Sequence, residues 1–289
     1  MRGIIMAAGN STRLSPASIA CSKHLMLLYD KPMIYYSLST LMLAGIKEIL
    51  IVVNNKFKDN YVDLLKDGSQ LGLRITYLVQ AEANGVAEVF SIAENFIKGH
   101  KITLILGDNI FHGTNLKNFL YEGINNQQGA LIFAYYVKNI SNYGAITLDS
   151  DNQPIKLEEK PRTSKNSYAV PGLYFFDETV LNKSKEIKPS KRGELEITDI
   201  NKIYLKEKKL KVRIMGRGMS WFDIGEIDSF NEAGNYVRAI QNRQGLSIGC
   251  PEEIAWRNNW ISREELLNSL DTNSKSSYNK YIIEIIKKA

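Results

Sequence analysis

Short apolar runs and helix-like segments alternate through the first half of this chain, and this alternation constrains the fold more than any other feature. Strand-sized runs cover residues 4–7, 48–53, 75–79, 102–106 and 130–137. Segments with helical spacing lie between them, at residues 33–44, 61–65, 86–96 and 116–124. Strands that alternate with helices form βαβ units, in which helices cover both faces of a mainly parallel sheet. We therefore predict an α/β fold of the Rossmann-like type, with a mixed, mainly parallel sheet.

The pattern changes twice in the second half. Residues 143–176 form short apolar runs separated by turn sequences, which predicts an antiparallel insertion. Residues 183–211 return to helical spacing, and from residue 229 the spacing is mostly helical, with Pro251 just inside the start of one helix. We predict two domains: residues 1–228 form the α/β core with its insertion, and residues 229–289 form a C-terminal helical region.

The composition is that of an ordinary globular protein, with 44% apolar and 24% charged residues among 289. The apolar runs are shorter than the roughly 18 residues of a membrane span, and the first strand leaves no room for a signal peptide. We therefore expect a cytoplasmic protein without a membrane partner.

Cys21 and Cys250 form no C-x-x-C pair, which argues against a zinc site or a disulfide. The net charge of +6 is dispersed, which argues against nucleic acid and suits polyanionic substrates.

The first strand leads into a loop of small residues, Ala8 to Thr12, followed by Arg13 and later by Lys23. Backbone N–H groups of such a loop can approach phosphate oxygens, and the two cations can neutralise a leaving pyrophosphate. The alternative is a tight turn with two surface cations.

The loop matches neither the P-loop nor the G-x-G-x-x-G fingerprint. The second strand ends in asparagines rather than in the acid that holds a ribose, which argues against a nicotinamide enzyme.

Two aspartates are candidate metal ligands. Asp108 follows a buried strand, and Asp223 lies in the sequence Trp221-Phe222-Asp223-Ile224-Gly225. Mg²⁺ commonly takes one or two carboxylates and completes its shell with phosphate oxygens and water. Both segments are also good turn sequences, so a purely local role is the alternative.

The segment Glu158-Glu159-Lys160 ends another short strand. The lysine can contact a second phosphate while a carboxylate accepts hydrogen bonds from sugar hydroxyls; the alternative is a surface ion pair of little value. The histidines have no metal-ligand spacing, and we expect them to serve as surface or hydrogen-bonding groups.

Taken together, these motifs resemble the bacterial glucose-1-phosphate thymidylyltransferases of the longer, homotetrameric type. The resemblance runs from Gly3 to the C-terminal helices. Its most specific segments are Ser11 to Leu14 with Ser22-Lys23, Tyr29 to Tyr36, Ser39 to Ile46, Leu106 to Phe111, Glu158 to Pro161, Gly193 to Asn201 and Cys250 to Ala255.

The resemblance implies attack of glucose 1-phosphate on the α-phosphorus of dTTP, which releases pyrophosphate and gives dTDP-glucose for dTDP-rhamnose or another dTDP-deoxysugar. Asp108 and Asp223 would hold Mg²⁺. It assigns nucleotide binding to Ala8, Gly9, Ser11, Thr12, His24, Gln80 and Gly85. It assigns catalysis to Arg13, Lys23, Asp108, Lys160 and Asp223. It assigns the sugar pocket to Tyr143, Gly144, Glu159, Val170, Tyr174 and Trp221.

The resemblance also implies regulation by a dTDP-sugar at a subunit interface, through Arg217, Glu253, Ile254 and Arg257; a plain interface helix is the alternative. The chain departs from the family pattern at Ala8 and Ser11, which replace glycines, and at His24, which replaces a glutamine. Asn84 replaces an aspartate, and Ile224 and Glu226 replace threonines. UTP in place of dTTP stays open, as does a catalytically silent nucleotide-sugar sensor. Because every cation and acid assigned to chemistry is present, the sequence favours the enzyme.

Overall fold

A computed structural model describes residues 1–82, 84–126, 128–163, 167–270 and 275–288. The strands are β1 (Arg2–Ala7), β2 (Leu27–Leu28), β3 (Lys31–Pro32), β4 (Glu48–Val53), β5 (Arg74–Val79), β6 (Ile102–Leu106), β7 (Asn109–Gly113), β8 (Ala130–Tyr135), β9 (Gly144–Leu148), β10 (Pro154–Glu159), β11 (Ser167–Ala169), β12 (Leu173–Phe176), β13 (Leu210–Met215) and β14 (Met219–Asp223). The α-helices are α1 (Ala17–Ala20), α2 (Ile34–Leu43), α3 (Lys58–Leu65), α4 (Val89–Ile92), α5 (Glu94–Ile97), α6 (Leu116–Ile124), α7 (Val180–Ser184), α8 (Ile197–Lys206), α9 (Ile227–Gln244), α10 (Pro251–Arg257), α11 (Arg263–Ser269) and α12 (Ser277–Lys288).

Four parallel strands form one half of the main sheet, in the order β6-β1-β4-β5. The three inner strands, β6, β1 and β4, are buried on both faces because helices cover them, so Ile4 and Ile5 both have no exposed surface although they point to opposite sides. The edge strand β5 is partly exposed. All four strands end at the same edge of the sheet, where α/β proteins bind their ligands. The predicted α/β fold is confirmed.

The other half of the sheet is mixed. β12 pairs antiparallel with β6 and with β8, and the order continues through β11 and β9 to β10, while β13 pairs parallel with β8. The predicted antiparallel insertion over residues 143–176 is therefore present. It also contributes β12 to the middle of the sheet, where Phe175 is fully buried.

A separate two-stranded antiparallel ribbon is formed by β7 and β14, and β7 follows β6 after a two-residue turn at the edge where the parallel strands end. The turn that the sequence offered as the alternative role for the Asp108 segment is limited to residues 107 and 108, and Asn109 already belongs to β7. In this register Asp223 lies directly opposite Asn109. The ribbon thus brings together two segments that are more than one hundred residues apart in sequence.

Two helical predictions were too simple. Residues 86–96 form a 3₁₀ turn and two single-turn helices, α4 and α5, instead of one helix. Between residues 183 and 211 only α8 and the end of α7 are helical. The extended stretch before α8 includes Leu195, whose backbone packs against Gly85.

The C-terminal helices pack on the α/β core. α10 lies against α2, and apolar residues of α10 to α12 belong to the same hydrophobic cluster as the α2 side chains. The division at residue 228 stays a prediction. Among the described residues, no helix has both the length and the apolar character that crossing a membrane requires.

Candidate active site

A cavity of about 230 Å³ opens at the carboxyl ends of the parallel strands, and we call it the strand-end cavity. Its wall includes six of the residues that the sequence assigned to nucleotide binding or to metal binding. The lining residues are Met6, Ala8, Gly9, Lys23, His24, Gln80, Gly85, Val86, Leu106, Asp108 and Glu194.

The loop after β1 continues past this cavity. Ser11 takes a left-handed conformation with φ 53°, and Thr12 and Arg13 start a 3₁₀ turn. These three residues are not part of the cavity wall. The exposed Arg13 guanidinium instead donates to Glu226, 2.9 Å away, at the N-terminus of α9. Arg13 therefore lies between the loop and the segment that carries Asp223.

The two candidate metal ligands lie side by side, joined by Asn109. The Asn109 side-chain amide donates to Asp108 at 2.8 Å and to Asp223 at 3.2 Å, so the accepting oxygens are no more than about 6 Å apart. The amide oxygen of Asn109 accepts from Trp221 Nε1 at 2.6 Å and from the Gly172 N–H at 2.9 Å. Asn109 is 1% exposed, and it fixes both acids relative to the insertion.

Lys23 lies on the other side of Asp108. Its ammonium forms a buried ion pair with Asp108 and donates to the Ile224 carbonyl oxygen at 3.2 Å. Burial opposes ionisation of Asp108, but the Lys23 charge and the hydrogen bonds outweigh burial and hold the pKa of this carboxyl below its usual range. Asp108 is therefore ionised at neutral pH.

Asp223 has the opposite tendency. Burial, followed by the nearby negative charge of Asp108, raises the pKa of Asp223 to about 7. Two carboxylates this close favour full ionisation only when a further cation lies between or beside them.

The acid pair fits a magnesium ion by its chemistry. Among the described residues, no group of three or more His, Cys, Asp and Glu side chains is arranged to hold a metal ion. An ion bound by Asp108 and Asp223 would therefore take its other ligands from phosphate oxygens and water, as Mg²⁺ prefers. The donor set consists of oxygen atoms alone, which suits a hard cation rather than zinc.

His24 forms a buried hydrogen-bonded triangle beneath the loop. Its Nδ1 lies 3.3 Å from Ser22 Oγ and 3.2 Å from the Tyr61 hydroxyl, and these two oxygens lie 2.7 Å apart. Burial, followed by the Lys23 charge, lowers the pKa of His24 to about 3. The imidazole is therefore neutral, and its remaining edge faces Gly107, where a Cβ would come within 2.9 Å of the ring.

Gln80 and Gly85 close the far end of the strand-end cavity. The Gln80 amide nitrogen donates to the Gly85 carbonyl oxygen at 3.1 Å and to Glu88 at 2.6 Å. Gly85 has φ 104°, and a Cβ there would lie 2.4 Å from the Leu195 carbonyl oxygen. Only glycine therefore fits at this position.

A second cavity, which we call the insertion cavity, adjoins the first. It contains every residue that the sequence assigned to the sugar pocket. The lining residues are Val86, Leu106, Asn109, Asn142, Tyr143, Gly144, Glu159, Lys160, Val170, Gly172, Tyr174, Arg192, Glu194, Glu196, Ile197, Thr198, Trp221 and Asp223.

Lys160 and Glu159 are held in place within the insertion cavity. Lys160 has φ 44°, a conformation that is costly for a residue with a side chain and is typical of functional sites. Its backbone N–H donates to the Tyr143 carbonyl oxygen at 3.1 Å. Thr198 donates to the Glu159 carboxylate, which fixes its orientation.

Three residues were not singled out as functional from the sequence. Asn109 joins the two acids, Glu88 binds Gln80, and Arg192 lies on the insertion cavity with a guanidinium nitrogen 3.5 Å from Glu159. Asn109 stands inside a segment that carried the family resemblance, and Arg192 immediately precedes another. For these two residues, the position within or beside such a segment was the sequence signal for a functional role.

A third cavity, which we call the α10 cavity, measures about 290 Å³ and lies between α2, β7 and α10. Glu253, Ile254 and Arg257, three of the four predicted regulatory residues, line it. Glu253 accepts from Arg257 at 2.7 Å and from Tyr281 of α12 at 2.5 Å. Arg217 stands instead in the exposed turn between β13 and β14 and is not part of this wall.

Comparisons with known proteins identify the family of this chain. The nucleotidyl transferase family model matches residues 2–239. Glucose-1-phosphate thymidylyltransferases from Neisseria meningitidis serogroup A and Mycolicibacterium smegmatis are each 44% identical, over 100% and 99% of both chains respectively. A solved UDP-glucose pyrophosphorylase with bound UDP-glucose, 23% identical, superposes with a TM-score of 0.72 over 83% of this chain and 98% of its own, which shows the fold alone. The chain belongs to the nucleotidyl transferase family and, within it, to the glucose-1-phosphate thymidylyltransferases.

Proposed function

We propose that this chain joins dTTP to α-D-glucose 1-phosphate and releases dTDP-glucose and pyrophosphate. The observation that carries the proposal is the junction of the two cavities. Val86, Leu106 and Glu194 line both of them. Asp108 belongs to the strand-end cavity and Asp223 to the insertion cavity, and Asn109 binds both acids at the junction. A nucleotide in the first cavity and a sugar phosphate in the second therefore meet at the acid pair.

The reaction is an in-line displacement at phosphorus. A phosphate oxygen of glucose 1-phosphate forms a bond to the α-phosphorus of dTTP, and the bond from that phosphorus to the oxygen bridging to the β-phosphate breaks. The electron pair leaves with pyrophosphate. Positioning and charge neutralisation supply most of the catalysis in transfers of this kind. Mg²⁺ held by Asp108 and Asp223 would neutralise phosphate charge and align the two phosphates.

Different lysine and arginine side chains would contact the two substrates. Lys160, Asp223 and Arg192 line the insertion cavity together, and Lys160 would contact the sugar phosphate. Lys23 lies at the junction beside Asp108 and would contact the nucleotide phosphates. Arg13 lies beyond the strand-end cavity, where the leaving pyrophosphate would emerge, and it would exchange Glu226 for a phosphate oxygen.

Regulation, assembly and location are proposed from the family resemblance. A dTDP-sugar effector would bind in the α10 cavity, where the buried Ser39 hydroxyl has no hydrogen-bond partner among the described residues. An assembly of four chains would bring such sites to subunit interfaces. The cytoplasmic location of the protein stays a prediction. Inhibition by dTDP-rhamnose that is non-competitive with dTTP and lost in Arg257→Ala would support this role. Purely competitive inhibition that the variant leaves unchanged would contradict it.

The activity is tested by pyrophosphate release from dTTP, glucose 1-phosphate and Mg²⁺. Wild-type protein should turn over, and Asp108→Asn should lose at least about a thousandfold in kcat/KM because a charge at the reacting phosphate disappears. Asp151→Asn, which removes an exposed carboxylate from a turn, is the matched control and should retain wild-type activity. Folded wild-type protein that binds dTTP without turnover would contradict the proposal and favour the sensor.

A further inference from the structure

Two exposed charged side chains connect the loop after β1 to the start of α9. Arg13 lies in the 3₁₀ turn at the end of that loop, and Glu226 is the N-cap residue of α9, three positions after Asp223. The Arg13 guanidinium donates to the Glu226 carboxylate at 2.9 Å, and both side chains are more than half exposed. In the described part of the chain, this carboxylate is the only group that accepts from the guanidinium.

This pair holds the guanidinium away from the strand-end cavity. Arg13 is not part of that cavity's wall, and its guanidinium lies against the Gly225 backbone, where a Cβ would come within 3.0 Å of one terminal nitrogen. The guanidinium stays within electrostatic reach of the acid pair, since burial and Asp108 raise the pKa of Asp223 to about 7 while the Arg13 charge opposes this rise. To bind a phosphate in the strand-end cavity, Arg13 therefore has to leave Glu226.

We infer that Glu226 is a positioning residue that competes with phosphate for Arg13 and thereby favours pyrophosphate release, an inference that rests on the proposed function. A contact between Arg13 and the β- and γ-phosphates forms only when the ion pair opens, so the strength of the pair is subtracted from the binding of these phosphates. An exposed ion pair shifts an equilibrium by up to about fivefold. Pyrophosphate and dTTP carry these phosphates, whereas dTDP-glucose and glucose 1-phosphate do not. Glu226 therefore weakens the binding of the first two alone.

The test follows the reverse reaction in wild type, Glu226→Gln and Glu232→Gln. Glutamine keeps a carbonyl oxygen at the start of α9 and removes the charge that holds Arg13. We expect KM for pyrophosphate to fall at least about twofold in Glu226→Gln while KM for dTDP-glucose is unchanged. Glu232 is an exposed carboxylate of the same helix, so its variant controls for lost charge and should keep both constants. A smaller fall would overturn the inference, and so would a rise, which would mean that Glu226 binds Mg²⁺ together with pyrophosphate.

A double-mutant cycle with Arg13→Gln shows whether Arg13 transmits the effect. The readout is calorimetric binding of inorganic pyrophosphate in the presence of Mg²⁺, because binding needs no turnover. Most of the gain from Glu226→Gln should disappear in the Arg13→Gln background, and a gain that stays more than half as large would overturn the inference. Binding also separates the two proposals. An active wild type whose pyrophosphate binding is unchanged in Glu226→Gln contradicts the role of Glu226 alone, whereas tighter binding in Glu226→Gln with no turnover by wild type contradicts the proposed activity alone.

Discussion

Asn109→Asp tests the central bond network with little change in shape. The new carboxylate keeps an oxygen where Trp221 and Gly172 donate, but it replaces the NH₂ group that binds Asp108 and Asp223. Each hydrogen bond to a charged group contributes about 1.5–3 kcal/mol, so losing two should lower the free energy of unfolding by about 3–6 kcal/mol. A third buried negative charge beside the pair adds to this loss.

The loss should depend on pH in a defined direction. Burial and the Asp108 charge already raise the pKa of Asp223 to about 7, and a third carboxyl group raises the pKa values of the cluster further. Acids whose pKa is higher in the folded than in the unfolded state destabilise the fold fully above the folded pKa, and the penalty is relieved as the pH falls through it. Asn109→Asp should therefore differ from wild type more at pH 8.5 than at pH 6.

Urea denaturation followed by tryptophan fluorescence, without Mg²⁺, measures these differences. Asn139→Asp is the control: Asn139 is exposed, and its side-chain oxygen keeps the hydrogen bonds from Ser141, so the change should stay within about 0.5 kcal/mol. A loss below about 1 kcal/mol for Asn109→Asp at pH 8.5, or an equal loss at both pH values, would refute the reasoning.

Three further outcomes follow from groups in and around the site. Lys23→Met leaves Asp108 largely buried without its cation, so the free energy of unfolding at pH 8 should fall by about 3 kcal/mol in urea denaturation, and a loss under 1 kcal/mol would contradict the buried pair. The His24 imidazole should show no NMR titration between pH 5 and 8, since its pKa is lowered to about 3; a midpoint near 6.5 would contradict its burial. Burial raises the thiol pKa of both cysteines, far more for Cys250 than for Cys21. A thiol reagent at pH 8 should therefore label Cys21 first, and faster labelling of Cys250 in native protein would contradict its burial.

The sequence was sufficient for the parallel half of the fold because each strand there is a continuous apolar run between helices. β4 and α6 have the bounds that the pattern predicted, and α2 differs by one residue at each end. Prediction failed over residues 86–96, where apolar spacing suggests one helix. There Gly85 and Leu195 approach closely, and the chain is held in short turns by that tertiary contact.

The same limit applies to the site. Asp108 and Lys160 could be singled out because each follows a strand, and strand ends in α/β sheets collect ligands. Asn109 could not be assigned a role, since it binds Asp223 across a tertiary contact and neither spacing nor composition displays such a contact. The pairing of Lys23 with Asp108 was missed for the same reason, although both residues were assigned to catalysis.

The ribbon of β7 and β14 sets the distance between the two acids, and this leads to a last prediction. Side chains alternate between the faces of a strand, so a one-residue shift moves Asp223 to the opposite face and displaces it by about 3.3 Å. Inserting one glycine between Trp221 and Phe222 should therefore abolish pyrophosphate release while the protein still folds. One glycine inserted between Gly216 and Arg217, in the exposed turn before β14, leaves the register from Met219 onward intact and should retain activity within about tenfold. Equal activity of the two insertion variants would mean that the acid pair does not depend on the ribbon register.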